Sequence, residues 1–168
     1  MSDTTQPGAQ GVDLQLGAIV RTLLATPRKA FRIGALEPQV LPALEVQQAV
    51  VLRDNRGSVQ GYALWAFVTD VVLNELVADP MRLLHRSEWN EGLNLVIMDF
   101  VALDGAARAL ARRLRMIELR GFEKAYAIRR TGQGAERVMT FKRRRSEMPD
   151  PAPTSRNAGD KPSPRTAP

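Results

Sequence analysis

An aspartate lies within a nearly unbroken apolar run, LNLVIMDFVAL, at residues 93–103. Burial of an ionised carboxylate without partners is strongly unfavourable, so Asp99 needs a partner. Two interpretations remain open. In the structural one, backbone amides or an arginine such as Arg32 or Arg129 hold the carboxylate. In the functional one, Asp99 is a general base, or orients one, at a cleft beside the sheet.

The single histidine is a second candidate for proton transfer, because an imidazole titrates near neutral pH. His85 lies between Leu83-Leu84 and Trp89, which are residue types that pack, so a structural or exposed histidine is the more frequent outcome. The chain has no cysteine and no second histidine. The sequence therefore predicts no metal site and excludes a disulfide framework and a nucleophilic thiol.

A turn at Asp104-Gly105 connects the apolar run to a helix rich in arginine. Amides at the start of that helix could receive a phosphate or a pantetheine arm, although most junctions of this kind bind nothing. Arg108, Arg112 and Arg115 line one face of the helix, which is either solvated or a surface for an acidic partner or a nucleic acid. No aromatic residues alternate with these arginines, so nucleic-acid binding is not favoured.

The elements that must position these groups follow from hydrophobic periodicity and turn residues. Apolar residues recur at helical spacing from Leu14 to Leu24, and the proline-containing stretch 28–47 predicts a structured connection without a regular element. QQAVVL and VQGYALWAFV, separated by RDNRGS, predict an antiparallel hairpin. VVLNELVA predicts a short helix capped by Thr69 or Asp70 and ended by Pro80.

In the second half of the chain, the run around Asp99 predicts a central strand buried on both faces. AARALARRLRMI predicts a helix, and KAYAIR and RVMTFK predict a second hairpin around the turn TGQGAE. The order of elements predicts a single α+β domain with a mixed, mostly antiparallel sheet flanked by helices. The buried stripe expected for the helix consists of Ala107, Leu110, Ala111 and Leu114.

Positive charge is concentrated near the C-terminus, because residues 142–168 hold seven of the 24 Lys/Arg residues but three of the 18 Asp/Glu residues. We predict a disordered leader at 1–12, one domain at 13–143 and a disordered, proline-rich basic tail at 144–168. The tail could bind nucleic acid or anionic lipid, but a solvated chain end is favoured. A polar N-terminus and the lack of an apolar run of about 18 residues predict a cytoplasmic protein without a membrane span.

Four stretches resemble, in order and spacing, the RTX toxin-activating lysine acyltransferases of the hemolysin-activating protein C type, a divergent branch of the GNAT-type architecture. They are LEPQVLPAL, QQAVVLRDNRGSVQGYALWAFV, EWNEGLNLVIMDFVALDG and AIRRTGQGAERVMTF. The resemblance runs from Leu14 to Phe141 and is most specific at Trp89-x-x-Gly92. It implies a GNAT-like fold and transfer of a fatty acyl group from acyl-acyl carrier protein to internal lysines of an RTX-type pro-toxin. It also implies a cytoplasmic homodimer with no bound cofactor.

The catalytic pair of this family is a histidine just after the first helix and an aspartate in the central strand. Asp99 falls on the aspartate, and Lys29 occupies the position of the histidine. The resemblance thus implies that Asp99 and Lys29 are catalytic. The acceptor lysine of the substrate would attack the thioester as a neutral amine, and Asp99 would accept or relay the proton. The alternative is a catalytically silent binding module of the same fold, because Lys29 replaces the histidine.

The residues expected to contact substrate divide into two groups. The first group, which includes Trp65, could line an acyl groove on the first hairpin. One face of that hairpin must be core, so for any of these residues that points inward we expect packing in the core first. The other would contact the acyl donor, with the arginine face meeting an acidic carrier protein. The candidates are Trp65, Trp89, Gly92, Gly105, Arg108 and Arg112.

Overall fold

The computed structural model describes residues 9–27, 32–129 and 137–142. Its centre is one five-stranded sheet in the order β1-β2-β3-β4-β5. Neighbouring strands pair antiparallel except β3 and β4, which pair parallel. The predicted α+β fold with a mixed, mostly antiparallel sheet is confirmed. The strands are β1 (Ala49–Arg53), β2 (Val59–Val68), β3 (Asn94–Ala102), β4 (Lys124–Arg129) and β5 (Arg137–Lys142).

Helices cover both faces of this sheet. No helix within the described ranges has the length and apolar content needed to cross a bilayer. Two 3-10 turns, Ile33–Ala35 and Arg86–Trp89, and one π-helical turn, Leu114–Glu118, complete the regular structure. The helices are α1 (Ala9–Leu24), α2 (Leu36–Gln39), α3 (Leu41–Glu45), α4 (Asp70–Ala78) and α5 (Ala107–Arg113).

β2 separates two cores because its side chains alternate between the faces of the sheet. One core lies under α1, α3, α4 and the turn Arg86–Trp89, and we call this side the helical face. The other lies under α5 and the π-helical turn, and we call it the α5 face. From β2, Tyr62, Leu64, Ala66 and Val68 enter the core of the helical face, whereas Ala63 and Trp65 enter that of the α5 face.

The first hairpin and the helix after it form as predicted. In the turn between β1 and β2, Asp54 Oδ1 accepts hydrogen bonds from the amides of Arg56 and Ser58, each at 2.9 Å. Thr69 caps α4, since its side chain accepts from the amide of Val72 at 3.3 Å. A side-chain acceptor at this position satisfies one of the amides that a helix start leaves without an intrahelical partner.

The stretch 28–47 departs from the prediction, because residues 33–45 form a 3-10 turn and the short helices α2 and α3. Pro42 lies in the first turn of α3, where its missing amide hydrogen is not needed. Ala43 and Leu44 are buried there. Pro42 therefore begins a short helix, and Pro38 is accommodated within the single turn of α2.

α1 also begins earlier than its apolar pattern indicates, at Ala9, inside the segment expected to be the leader. Val12 packs against the core of the helical face and gives this first part of the helix an anchor. Ile19 and Leu23 are fully buried, whereas Leu14 and Leu24 are largely exposed. The apolar stripe is thus narrower than the sequence pattern.

α5 buries fewer residues than predicted. Ala107 and Ala111 are exposed, while Leu110 and Leu114 are buried. After Arg113 the helix widens into the π-helical turn, closed by a 2.8 Å bond from the Leu119 amide to the Leu114 carbonyl. This widening shifts the helical phase, so that Leu119 continues the buried row five residues after Leu114. The predicted exposure of Arg108, Arg112 and Arg115 is confirmed.

β3 is central, as predicted, but it is not buried on both faces along its whole length. Phe100 is exposed and Asp99 is half-buried. The parallel ladder to β4 has two registered pairs, Val96 with Tyr126 and Ile97 with Ala127. Beyond Ile97 the strand is therefore covered less completely. β4 and β5 form the predicted antiparallel pair, whereas the turn at 131–136 lies outside the described residues.

Candidate functional site

A β-bulge in β3 sets the direction of Asp99. Ile97 and Asp99 pair with consecutive residues of β2, so β3 carries one extra residue, Met98. Ile97 packs in the core of the α5 face, but Val101 packs in the core of the helical face. In a regular strand two residues four apart share a face. The bulge therefore turns Asp99 toward the helical face, and such irregularities are frequent beside active sites.

Within the described part of the chain, hydrogen bonds from Tyr62 and Phe100 hold the carboxylate of Asp99. The Tyr62 hydroxyl donates to Oδ2 at 2.7 Å, and the amide of Phe100 donates to Oδ1 at 3.0 Å. Tyr62 is fully buried. Arg32 is exposed and forms no ion pair with Asp99 among the described residues, and the side chain of Arg129 lies outside them. The structural and functional interpretations of Asp99 thus coexist, because a backbone amide holds a carboxylate that remains partly accessible.

Asp99 lines a small, open cleft on the helical face. Tyr62 and Trp89 belong to the same lining, so a carboxylate, a phenol and an indole share one cavity. The remaining wall is mostly apolar, with a few polar groups among its residues. The apolar lining comes from α1, from α2 and the residue after it, from the segment between α4 and the Arg86–Trp89 turn, and from β3: Leu23, Pro38, Val40, Leu83, Leu84 and Met98.

One wall of the cleft is fixed by Arg82, which itself lines the cavity. Its guanidinium donates to both oxygens of Glu88, at 2.9 and 2.6 Å, and forms a 2.8 Å ion pair with Glu75. The hydrogen bond from Arg82 lowers the pKa of Glu88 against the opposing effect of burial, and the same bond raises the pKa of Arg82. These bonds tie the segment before the Arg86–Trp89 turn to α4.

His85 caps this turn. Its Nδ1 accepts from the amide of Ser87 at 3.4 Å, while Glu88 accepts from the amide of His85 at 2.7 Å. The imidazole is exposed and is not in the lining of the cleft. The geometry therefore fits the structural interpretation of this histidine.

Trp89 is among the residues that line the cleft, packs in the core of the helical face and is 1% exposed. In the amide orientation that satisfies both of its polar atoms, Gln48 Nε2 donates to the carbonyls of Trp65 and Trp89, at 2.9 Å each. The indole N–H of Trp89, in contrast, has no acceptor among the described residues. Trp89 is thus held through its backbone, and its side-chain donor is left unsatisfied.

Gly92 has a packing role. Its amide and that of Glu91 both donate to the carbonyl of Phe67, at 2.9 and 3.0 Å. A Cβ at position 92 would lie 2.0 Å from the carbonyl carbon and oxygen of Val68. The loop before β3 can therefore approach the end of β2 only because residue 92 is glycine.

The other predicted substrate-binding residues lie elsewhere. Trp65 is in the core of the α5 face, on the opposite side of the sheet from Asp99. Gly105 adopts a positive φ of 78° in the turn before α5, and Arg108 and Arg112 are exposed on that helix. Lys29 lies outside the described residues. The structure thus brings Trp89 together with Asp99 and separates both from Trp65 and the arginines.

Sequence reasoning missed Tyr62 and Arg82. A signal for Tyr62 was available, because a phenol hydroxyl in an otherwise apolar strand needs a partner, and Asp99 in a later strand needs a donor. No comparable signal marked Arg82, since its two glutamate partners lie on separate elements, seven residues before it and six after it.

Two comparisons with known proteins agree with this architecture. The model of the HlyC family, described as the RTX toxin acyltransferase family, matches residues 10–142, which include all the strands and the cleft. The chain is also similar to the lysine-acyltransferase RtxC of Vibrio cholerae serotype O1 (strain ATCC 39315 / El Tor Inaba N16961). The two are 30% identical over 120 residues, or 68% of this chain and 77% of the relative.

Proposed function

Because the chain belongs to the RTX toxin acyltransferase family, we propose that it is a protein-lysine fatty acyltransferase of toxin activation. In this proposal the acyl group comes from acyl-acyl carrier protein and goes to internal lysines of an RTX-type pro-toxin. The observation that carries the proposal is the half-buried carboxylate of Asp99, aimed by a bulge into an open, mostly apolar cleft.

The chemistry requires a neutral amine. A lysine ammonium in water has a pKa of about 10.4, so a base must take its proton near neutral pH. The neutral amine attacks the thioester carbonyl, a C–N bond forms, the C–S bond breaks, and the carrier leaves as a thiol. Asp99 accepts the proton that the amine loses or relays it to the leaving sulfur. The apolar wall around Asp99 favours the neutral form of an entering amine.

Lys29 is the second residue of the proposed catalytic pair. Leu23 and Pro38, which belong to the elements before and after it in the chain, both line the cleft. Lys29 itself lies outside the described residues and is proposed from the family resemblance. A lysine acts as a base only when burial or neighbouring cations lower its pKa, and Arg28 and Arg32 flank it in the sequence.

The donor side of the proposal concerns the end of β3 and the start of α5. Asp99 lies beyond the last registered β3–β4 pair, and the chain that continues from it passes Gly105 to Arg108 and Arg112. Exposed arginines suit an acidic carrier protein. We therefore propose these three residues as contacts of the donor. Trp65 and Gly92 have packing roles and are not included among these contacts. We also propose, from the family resemblance, that the protein is a cytoplasmic homodimer with no bound cofactor.

The test is acyl transfer by the purified protein. It is incubated with acyl-loaded carrier protein and a lysine-bearing RTX segment, and the segment is examined for an acyl mass shift. Asp99→Asn keeps the shape of the side chain but removes the base, and we expect a rate about 10²- to 10⁴-fold lower. Asp104→Asn, an exposed aspartate outside the cleft, is the matched control. An unmodified segment, with binding of both substrates intact, would disprove the enzyme activity.

The Lys29→His variant separates the enzyme from a silent binding module. An imidazole is a better base than a lysine near neutral pH, so we expect the variant to transfer the acyl group faster than the natural protein. Binding of the acyl donor without transfer in either protein would instead identify a binding module.

A further inference from the structure

The indole N–H of Trp89 is a buried hydrogen-bond donor without an acceptor among the residues that the structure describes. Buried tryptophan N–H groups usually find a partner, because leaving one unsatisfied is unfavourable. The donors around it are satisfied: the Tyr62 hydroxyl bonds Asp99, and the Arg82 guanidinium bonds Glu88 and Glu75. Trp89 is among the residues that line the cleft, so a ligand bound there is one partner that would satisfy this donor.

The position of Trp89 is fixed from several sides. Gln48 holds its carbonyl, Glu88 immediately before it is held by Arg82, and Gly92 fixes the following loop against the end of β2. A side chain held in this way loses little freedom when a ligand forms a hydrogen bond with it. Such pre-organisation is what makes a donor effective at a reacting centre.

Trp89 and Asp99 line the same cleft, where they supply opposite functions: a buried donor and a carboxylate acceptor. Gln39 also lines the cleft, but it is half-buried and open to hydrogen bonds with water. Attack of an amine on a thioester needs both functions, a base for the nitrogen and a donor for the carbonyl oxygen, on which negative charge develops.

From this arrangement we infer that the Trp89 indole N–H donates a hydrogen bond to the thioester carbonyl oxygen of the acyl donor. The inference rests on the proposed acyltransfer. As the amine nitrogen bonds to the carbonyl carbon, the π electron pair moves onto the oxygen, and Trp89 stabilises that charge. When the pair returns, the C–S bond breaks, and the thiolate takes up the proton that the amine lost. Trp89 is thereby a catalytic residue, and it orients the thioester of the acyl donor relative to Asp99.

The first test observes the N–H itself. The chain has two tryptophans, so ¹⁵N-labelled protein gives two indole signals in a proton–nitrogen correlation spectrum, and Trp65→Phe assigns them by elimination. The probe is an acyl-pantetheine in which an amide replaces the thioester, so that the carbonyl is kept but cannot be transferred. We expect the Trp89 signal to move downfield and the Trp65 signal to stay.

The control probe is the matching thioether, in which a CH₂ group replaces the carbonyl; it should leave the Trp89 signal in place. A Trp89 signal that responds equally to both probes, or to neither at saturating concentration, overturns the inference. This measurement needs no acceptor lysine. The signal of Trp89 can therefore stay unchanged while acyl transfer succeeds, or move while transfer to lysine fails. The measurement thus separates the role of Trp89 from the proposed acyltransferase activity.

The second test is kinetic. Trp89→Phe removes the N–H and keeps most of the aromatic volume, and we expect kcat to fall about 10²-fold, as for other single oxyanion donors. Trp65→Phe, on the α5 face, is the matched control and should retain kcat. A Trp89→Phe variant that folds and keeps the kcat of the natural protein overturns the inference. If that variant does not fold, the spectrum of the natural protein still decides.

Discussion

The Tyr62 hydroxyl and the Asp99 carboxylate are joined by a 2.7 Å hydrogen bond between neighbouring strands of the sheet. In the register of β2 and β3, Tyr62 pairs with Val101 and Asp99 pairs with Leu64. The phenol thus reaches diagonally across the strand pair. Because Tyr62 is fully buried and its ring is rigid, it holds one oxygen of Asp99 in a defined direction within the cleft.

Tyr62→Phe should lower kcat about tenfold and change KM little, since a hydrogen bond to a charged group contributes about 1.5–3 kcal/mol and tenfold corresponds to 1.4 kcal/mol. The measurement is steady-state acyl transfer, with melting temperature as a check on folding. The matched control is Tyr126→Phe, which removes the hydroxyl of the other tyrosine. Equal losses of kcat in both variants would show that Tyr62 has no special role.

Gly92→Ala should destabilise the protein by about 3 kcal/mol or more, because the new methyl group would overlap the backbone of Val68. Gly17→Ala is the opposite case. Gly17 lies in α1 with nothing within 4 Å of an added Cβ, and alanine should stabilise the helix by about 1 kcal/mol. Urea unfolding measures both changes. Equal stability of Gly92→Ala and the natural protein would contradict the close approach.

Glu88→Gln should destabilise the protein by about 1–3 kcal/mol at neutral pH, because it removes the charged partner of Arg82. The pKa of Glu88 is lowered in the folded state. Its contribution is therefore complete above the unfolded value of about 4.3 and is lost as the pH falls through the lower folded value. The difference between the two proteins in free energy of unfolding should shrink between pH 7 and about pH 3.

The control for this pH dependence is Glu45→Gln. Glu45 pairs with Arg86, which is 66% exposed, so solvent screens the interaction and the change should be near zero at both pH values. A difference for Glu88→Gln that stays constant from neutral to acid pH would rule out the charge of Glu88 as its source.

Arg108→Glu and Arg112→Glu should each raise the KM for acyl-loaded carrier protein about fivefold at low salt and leave kcat unchanged, because charges at a docking surface act mainly on encounter. The effect should weaken as salt screens the charges. Arg56→Glu, at the exposed tip of the first hairpin, is the control. An equal rise in KM for Arg56→Glu would point to net charge alone.

Much of the fold could be predicted because local patterns and tertiary structure agree. Asp54 and Thr69 act at the turn and the cap as their residue types indicate. The predictions that fail are those in which tertiary packing overrides the hydrophobic periodicity of the sequence. Ala107 and Ala111 were expected in the buried stripe with Leu110 but are exposed, and the π-helical turn that follows them shifts the phase so that Leu119 joins the buried row.

The candidate site was predictable in part. Asp99 stood out because a charge in an apolar strand is costly, and Trp89 stood out through the family resemblance. The direction of Asp99 could not be predicted, because a bulge depends on the register with β2 and leaves no mark on residue types. The unsatisfied N–H of Trp89 depends likewise on the positions of acceptors from several elements.

The extra residue in β3 makes two neighbours in sequence, Met98 and Asp99, neighbours in one cavity. Replacement of Met98 by another apolar residue would change volume but keep that arrangement. Loss of one residue from the strand would not keep it, because only one of the two positions now held by Met98 and Asp99 would then face the cavity. The length of this short stretch therefore decides whether Met98 and Asp99 can both face the cavity.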